Sequence, residues 1–282
     1  MNIPTKKLLS GFEMPVYGLG TWQMGEDESQ KDADVSAVKD AIELGITHID
    51  TAEVYGDGGA EKVVGDAIKG YDRKKLFIVS KVYGNHLHYN DLLNSLNKSL
   101  DRLGTDYLDL FLLHRFNPEV ELSETMRAME DAFEQKLIKN IGISNYNVDE
   151  TQSARKNCKY PVVANQLHYN LKIREAQEKG LLDYCQKEDL MLIAWRPLKH
   201  VDLDLPIVAN MAKKYNKTPV QIALNWLISQ KNVVTLSKTA NVIHLKENLG
   251  ALDFTMEQED IKSLLNDFPD QEEVSDTVAL RN

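Results

Sequence analysis

Apolar residues gather in short, nearly continuous runs rather than alternating ones. Eight stand out: 15–22 (PVYGLGTW), 46–50 (ITHID), 76–81 (LFIVSK), 107–114 (YLDLFLLH), 140–144 (NIGIS), 162–166 (VVANQ), 190–195 (LMLIAW) and 233–238 (VVTLSK). Runs of this kind mark parallel strands covered on both faces. Between them the period changes to that of helices. Leu92, Leu93, Leu96, Leu100 and Leu103 share one face, as do Met126, Met129, Phe133 and Leu137. Thr218-Pro219 reads as an N-cap and first-turn proline ahead of the stripe Ile222, Ala223, Trp226, Leu227. The long gap before the eighth run has room for two helices, at 206–216 and 218–230. Thr255 and Gln258 are spaced as a capping box for a last helix.

Eight strand–helix repeats predict an α/β fold in which residues 1–282 form a single (β/α)8 TIM barrel, with an N-terminal β-hairpin capping its bottom. An open doubly wound sheet is the rival. It would want a glycine-rich dinucleotide turn, and GLG at 18–20 lacks the third glycine and the following helix.

Composition narrows the function more than the fold. With 282 residues, 43% of them hydrophobic, the chain can bury a large core. A formal net charge of −10 argues against nucleic-acid or anionic-membrane partners, which want a basic face. Two cysteines, Cys158 and Cys185, make no disulfide framework. No apolar stretch suits a signal peptide or membrane span. The expectation is a cytoplasmic protein with small-molecule ligands and no obligate protein partner.

In a β/α barrel, chemistry sits on the loops that follow the strands. The runs end in Trp22, Asp50, Lys81, His114, Ser144–Asn145, Gln166, Trp195 and Lys238. Asp50, Tyr55, Lys81 and His114 come from three neighbouring strand ends and can act together. Asp50 would balance a buried Lys81. The Lys81 cation would lower the pKa of Tyr55, making it a general acid or base. His114 would hydrogen-bond and orient a carbonyl oxygen.

These segments, with GITHIDTAEVYG, SLDRLGTDYLDLFLLH, LIKNIGISNYN, AWRPL, TPVQIALNWLI and SKTANVIHLKEN, resemble the aldo-keto reductases over most of the chain, in order and spacing. The resemblance implies hydride transfer between a nicotinamide cofactor and an aldehyde, ketone or alcohol, with Asp50, Tyr55, Lys81 and His114 as the catalytic four. It implies NADPH as the preferred cofactor, with NADH the lesser alternative. Ser144, Asn145 and Gln166 would hold the carboxamide, and Trp195 would stack on the nicotinamide. Lys238 and Thr239 would meet the 2′-phosphate, and Glu247 and Asn248 the adenine. Thr21, Trp22, Arg196, Pro197, Leu198, Ser237 and His244 also fall at cofactor positions. Trp22, Tyr83 and His114 would line the substrate pocket.

There are departures from the family pattern. Arg196 stands where Ser is common, Ser237 where proline is frequent, and His244 where many members carry Arg. The short tail implies a more open pocket.

Two other readings compete. His86 and His88, with His48, His114 and Asp50, suggest a metal hydrolase. However, the remaining strand ends do not complete a ligand shell, and His48, alternating with Ile49, is expected on the other side of its strand. A nicotinamide-binding regulatory subunit with little turnover is the second. The expectation for metal is none.

Overall fold

The computed structural model describes residues 2–281. The chain opens with the antiparallel hairpin β1 (Thr5–Lys7) and β2 (Glu13–Pro15). Eight further strands follow: β3 (Tyr17–Gly20), β4 (His48–Asp50), β5 (Phe77–Val82), β6 (Leu110–Leu113), β7 (Ile141–Ser144), β8 (Val162–His168), β9 (Met191–Trp195) and β10 (Val233–Ser237). They pair in parallel, and β10 returns to β3 to close the barrel. Each of the eight expected runs coincides with one barrel strand, though β5 extends one residue and β8 two residues past its run. Burial on both faces explains their continuous apolar character: β3, β4, β6, β7 and β8 contain no exposed residue.

The hairpin caps the bottom of the barrel, as expected. The ammonium of Lys6 donates to the carbonyls of Gln230 and, at 2.6 Å, Val233, at the start of β10. The amides of Leu9 and Ser10 donate to the carboxylate of Asp189, just before β9, both at 2.9 Å. Burial there pushes the Lys6 amine down to about 8. Phe12 meets Phe77, the first residue of β5, edge-on at 6.1 Å.

The leucine face at 91–103 lies on the helix Tyr89–Leu103, which buries Leu92, Leu96, Leu100 and Leu103. Gly104 ends this helix at φ 62°, a left-handed conformation that glycine adopts without a Cβ penalty. Helices Pro206–Tyr215 and Pro219–Ser229 fill the gap before β10. Thr218 and Gln221 form a reciprocal capping box on the second.

Three local expectations are corrected. The run 107–114 is strand only at Leu110–Leu113. The carboxylate of Asp109 instead accepts from the Ile78 amide, Arg73 and Lys139. The Thr255–Gln258 capping box is absent: the last helix, Gln258–Asp267, starts after Glu257 without a side-chain cap. Glu257 is tied instead to Lys214 and, through its amide, to the Tyr215 hydroxyl. His48 lies on the same side of β4 as Asp50, one layer deeper. A two-residue period demands this, and its ring fills the space a Cβ on Gly18 would need. Among the described residues no helix is long and apolar enough to cross a membrane.

Candidate active site

A cavity of about 510 Å³ opens at the C-terminal end of the barrel. Its wall includes residues at or near the C-terminal end of every barrel strand: Trp22 after β3, Asp50 and Tyr55 from β4 and its loop, Tyr83 after β5, His114 after β6, Ser144 and Asn145 at β7, Gln166 in β8, Trp195 and Arg196 at β9, and Lys238 after β10. The ring expected at the strand ends therefore surrounds one space, with Lys81 beneath it.

Lys81 is fully buried and organises the centre. Its ammonium donates to Asp50 Oδ1 at 2.7 Å, to the Thr51 carbonyl at 2.8 Å and to Tyr55 Oη at 3.3 Å. In strand register Asp50 faces Val79, so Lys81 lies two residues further on, on the same face of the sheet. The second oxygen of Asp50 accepts from Gln166 Nε2 at 2.7 Å, across the barrel. Both carboxylate oxygens are thus satisfied, which a buried ion pair requires. The role of Gln166 as a clamp on Asp50 was not legible in the sequence, where 116 residues separate the two.

Burial pushes the Lys81 amine down, but Asp50 and Tyr55 outweigh it, and the net direction is up. Lys81 is therefore charged at neutral pH. For Tyr55 the expectation is reversed. Burial pushes the phenol up, Lys81 pulls it down and Asp50 opposes that pull, so the net direction is up rather than toward neutrality. Desolvation of phenolate, with Asp50, wins over the Lys81 cation and the weaker pull of Arg196.

His114 stands edge-on to Tyr55, with ring centroids 5.7 Å apart, and edge-on to Tyr83 at the same spacing. Burial, with help from Lys81 and Arg115, holds its imidazole well below its ordinary range, so it is neutral. Its Nδ1 has no hydrogen-bond partner among the described residues.

The side expected to hold a cofactor is built as follows. The Ser144 hydroxyl donates to the Gln166 carbonyl at 3.0 Å. Asn145 donates to Ser144 Oγ at 2.9 Å and to the His114 carbonyl at 3.1 Å. His168, which the sequence did not single out, stacks on Trp195 at 4.4 Å and 16°. Trp195 Nε1 is buried without a hydrogen-bond partner among the described residues. The Arg196 guanidinium lies 5.0 Å from the Trp22 ring and donates to Thr277 Oγ1 at 2.6 Å. Lys238 is exposed and reaches Gln23 Oε1 at 3.3 Å.

Other expected positions lie away from the cavity wall. Thr21 donates its hydroxyl to the Asp50 carbonyl. Ser237 and Asn248 are buried in a network with Tyr17, in which Asn248 donates to Tyr17 Oη at 3.0 Å and Ser237 Oγ at 3.1 Å. Thr239 Oγ1 accepts from the Asn241 amide, His244 is exposed, and the Glu247 carbonyl accepts from Gln221. Pro197 is buried and Leu198 half-buried. His86 pairs with Glu53 at 3.0 Å and His88 with Glu124 at 3.4 Å, so the two point to different partners.

The tail does more than its length suggested. It crosses the barrel top, and Thr277 and Val278 form part of the cavity wall. Both oxygens of the buried Glu175 hold it, accepting from the amides of Ser275 at 3.0 Å and Leu280 at 2.9 Å. Few side chains in the tail are apolar, so no periodicity signals this backbone anchoring.

The family model described as the Aldo/keto reductase family matches residues 17–266. A methylglyoxal reductase of Escherichia coli is 37% identical over 267 residues, covering 91% of this chain and 92% of the relative. A glyoxal reductase of Bacillus subtilis is 36% identical over 263 residues, covering 92% and 91%. Among solved structures, a thermostable aldo-keto reductase in complex with the inhibitor epalrestat superimposes with a TM-score of 0.90 at 42% identity, covering 93% of this chain and 98% of that one. An aldo/keto reductase from Klebsiella pneumoniae in complex with NADP and acetate gives 0.85 at 33% identity, covering 99% and 100%.

Proposed function

The chain belongs to the aldo/keto reductase family, and from that premise we propose that it reduces small aldehydes and ketones, α-dicarbonyls such as methylglyoxal among them, with NADPH preferred over NADH. The observation that carries this reading is the placement of the charged Lys81, 2.7 Å from Asp50 and 3.3 Å from the Tyr55 hydroxyl, at the floor of a cavity that every barrel strand reaches.

A bound nicotinamide supplies the hydride that the carbonyl carbon receives. The rest is work for side chains. Tyr55 is kept protonated by burial and donates its proton to the carbonyl oxygen as negative charge builds there. Lys81 favours the phenolate left behind. Asp50 keeps Lys81 charged, and Gln166 keeps Asp50 in place. His114, neutral in this pocket, offers a hydrogen bond that fixes the carbonyl beside Tyr55. The reverse oxidation of an alcohol uses the same groups.

The cofactor side fits a nicotinamide dinucleotide. Trp195 is backed by His168 and also borders the cavity, so it presents an aromatic surface on which a nicotinamide ring can stack. Ser144, Asn145 and Gln166 gather amide and hydroxyl groups next to it. Arg196 and Lys238, after neighbouring strands, supply cations for phosphate, with Thr239 beside them. Trp22 and Tyr83 border the substrate side.

The direct test is a panel of aldehydes, ketones, sugars and methylglyoxal, each assayed with NADPH and with NADH. Turnover of several small carbonyls is expected. Tight cofactor binding with no turnover across the panel would replace this reading with a regulatory one.

A further inference from the structure

The cavity carries a charge opposite to that of the molecule. The chain has a net charge of −10, yet the rim holds Arg115, Arg196 and Lys238. The one acid in the wall, Asp50, is already paired with Lys81. Two of the three rim cations lie together, because Arg196 follows β9, Lys238 follows β10, and these strands are neighbours. Arg115 follows β6, four strands from β10 in either direction round the closed barrel. It therefore stands across the mouth from the other two, on the side of Tyr83 and His114.

Arg115 is exposed, and no ion pair to it occurs among the described residues. Its guanidinium carbon lies 5.8 Å from the centre of the Tyr83 ring. Tyr83 in turn meets His114, and His114 meets Tyr55, each pair at 5.7 Å. The order Tyr55, His114, Tyr83, Arg115 forms a wall that runs from the proton donor to an unpaired guanidinium.

We propose that this side of the mouth is a receptor for a carboxylate on the substrate, with Arg115 as its partner, so that the enzyme favours carbonyl compounds bearing an acid group at the far end of a short chain. A guanidinium with no protein acid to satisfy it is suited to bind a carboxylate through two parallel hydrogen bonds. Two rings separate it from the reacting oxygen. An acid group directly on the carbonyl carbon is therefore too close to reach Arg115, and an ω-oxo acid several bonds longer spans the wall. This inference rests on the carbonyl-reductase reading above and adds the substrate's charge to it.

The test compares 4-oxobutanoate with its neutral methyl ester, alongside glyoxylate and methylglyoxal, in the native chain and in Arg115→Gln, Arg115→Glu and Arg196→Gln. Because Arg115 is exposed and screened, the expected gain in kcat/KM for the acid over the ester is modest, about twofold to fivefold at low salt. It should shrink as salt rises, approach parity in Arg115→Gln and invert in Arg115→Glu. Glyoxylate should gain nothing from Arg115. Equal use of acid and ester by the native chain would overturn the proposal, as would a preference that survives Arg115→Gln or that disappears only in Arg196→Gln. Absence of turnover for all four compounds, methylglyoxal included, would instead bring down the underlying reductase reading, and this proposal with it.

Discussion

The ammonium of Lys81 lies 2.7 Å from the carboxylate of Asp50, and the two side chains are 0% and 3% exposed. A pair so sealed cannot lose one member quietly. Lys81→Met keeps the apolar stem but leaves Asp50 as a buried charge with only Gln166 as side-chain partner. We expect a stability loss of about 3–5 kcal/mol, together with a fall in kcat and a displaced alkaline limb of the pH–rate profile. An active variant with the native profile would show that Lys81 does not govern Tyr55.

Tyr55→Phe removes the proposed proton donor and keeps the ring against His114 and Lys81. The expected loss in kcat is roughly 10²- to 10⁴-fold, the usual worth of general acid–base catalysis. Cofactor affinity, read by fluorescence titration, should change little. Retention of more than half the activity would take Tyr55 out of the mechanism.

Cofactor choice should depend on Lys238. It is exposed and reaches only the neutral Gln23 among the described side chains, which leaves its charge for a 2′-phosphate. One charge-assisted contact is worth about 1.5–3 kcal/mol when well formed, so NADPH should be favoured by about tenfold or somewhat more. Lys238→Met should bring the kcat/KM values for NADPH and NADH close together. Equal use of the two by the native chain sinks the idea. A preference that outlives Lys238 would place the phosphate elsewhere, with Arg196 the next candidate.

Stability should fall in mild acid because of histidines buried as neutral bases. Burial pushes His48 and His168 each down to about 4 from an ordinary 6.5. Between those values the unfolded chain binds protons that the folded chain refuses, so stability is lost as pH drops from about 6.5 to about 4. For His48 the shift corresponds to about 3 kcal/mol. His48→Met should reduce the fall of Tm over that range while leaving the contributions of His168 and His114. An identical slope in the variant would mean that His48 is protonated in the fold, or solvated by water within it.

Much of this was written along the chain. The barrel follows from eight apolar runs whose two faces are both covered, a local property that periodicity records. The clustering of Asp50, Tyr55, Lys81 and His114 was legible because each sits at or just beyond a strand end, and in a parallel barrel those ends converge on one mouth.

What the sequence could not settle were balances between groups brought together from afar. Lys81 beside Tyr55 suggested a lowered phenol pKa, but only the packed cavity shows that desolvation outweighs the cation. Strand parity puts His48 on the same side of β4 as Asp50, but its fit against Gly18 depends on the closed barrel. The clamp of Gln166 on Asp50 and the backbone anchoring of the tail on Glu175 span 116 and about 100 residues. Contacts at that separation leave no periodic trace, because they depend on the closure of the barrel and not on any neighbouring residue.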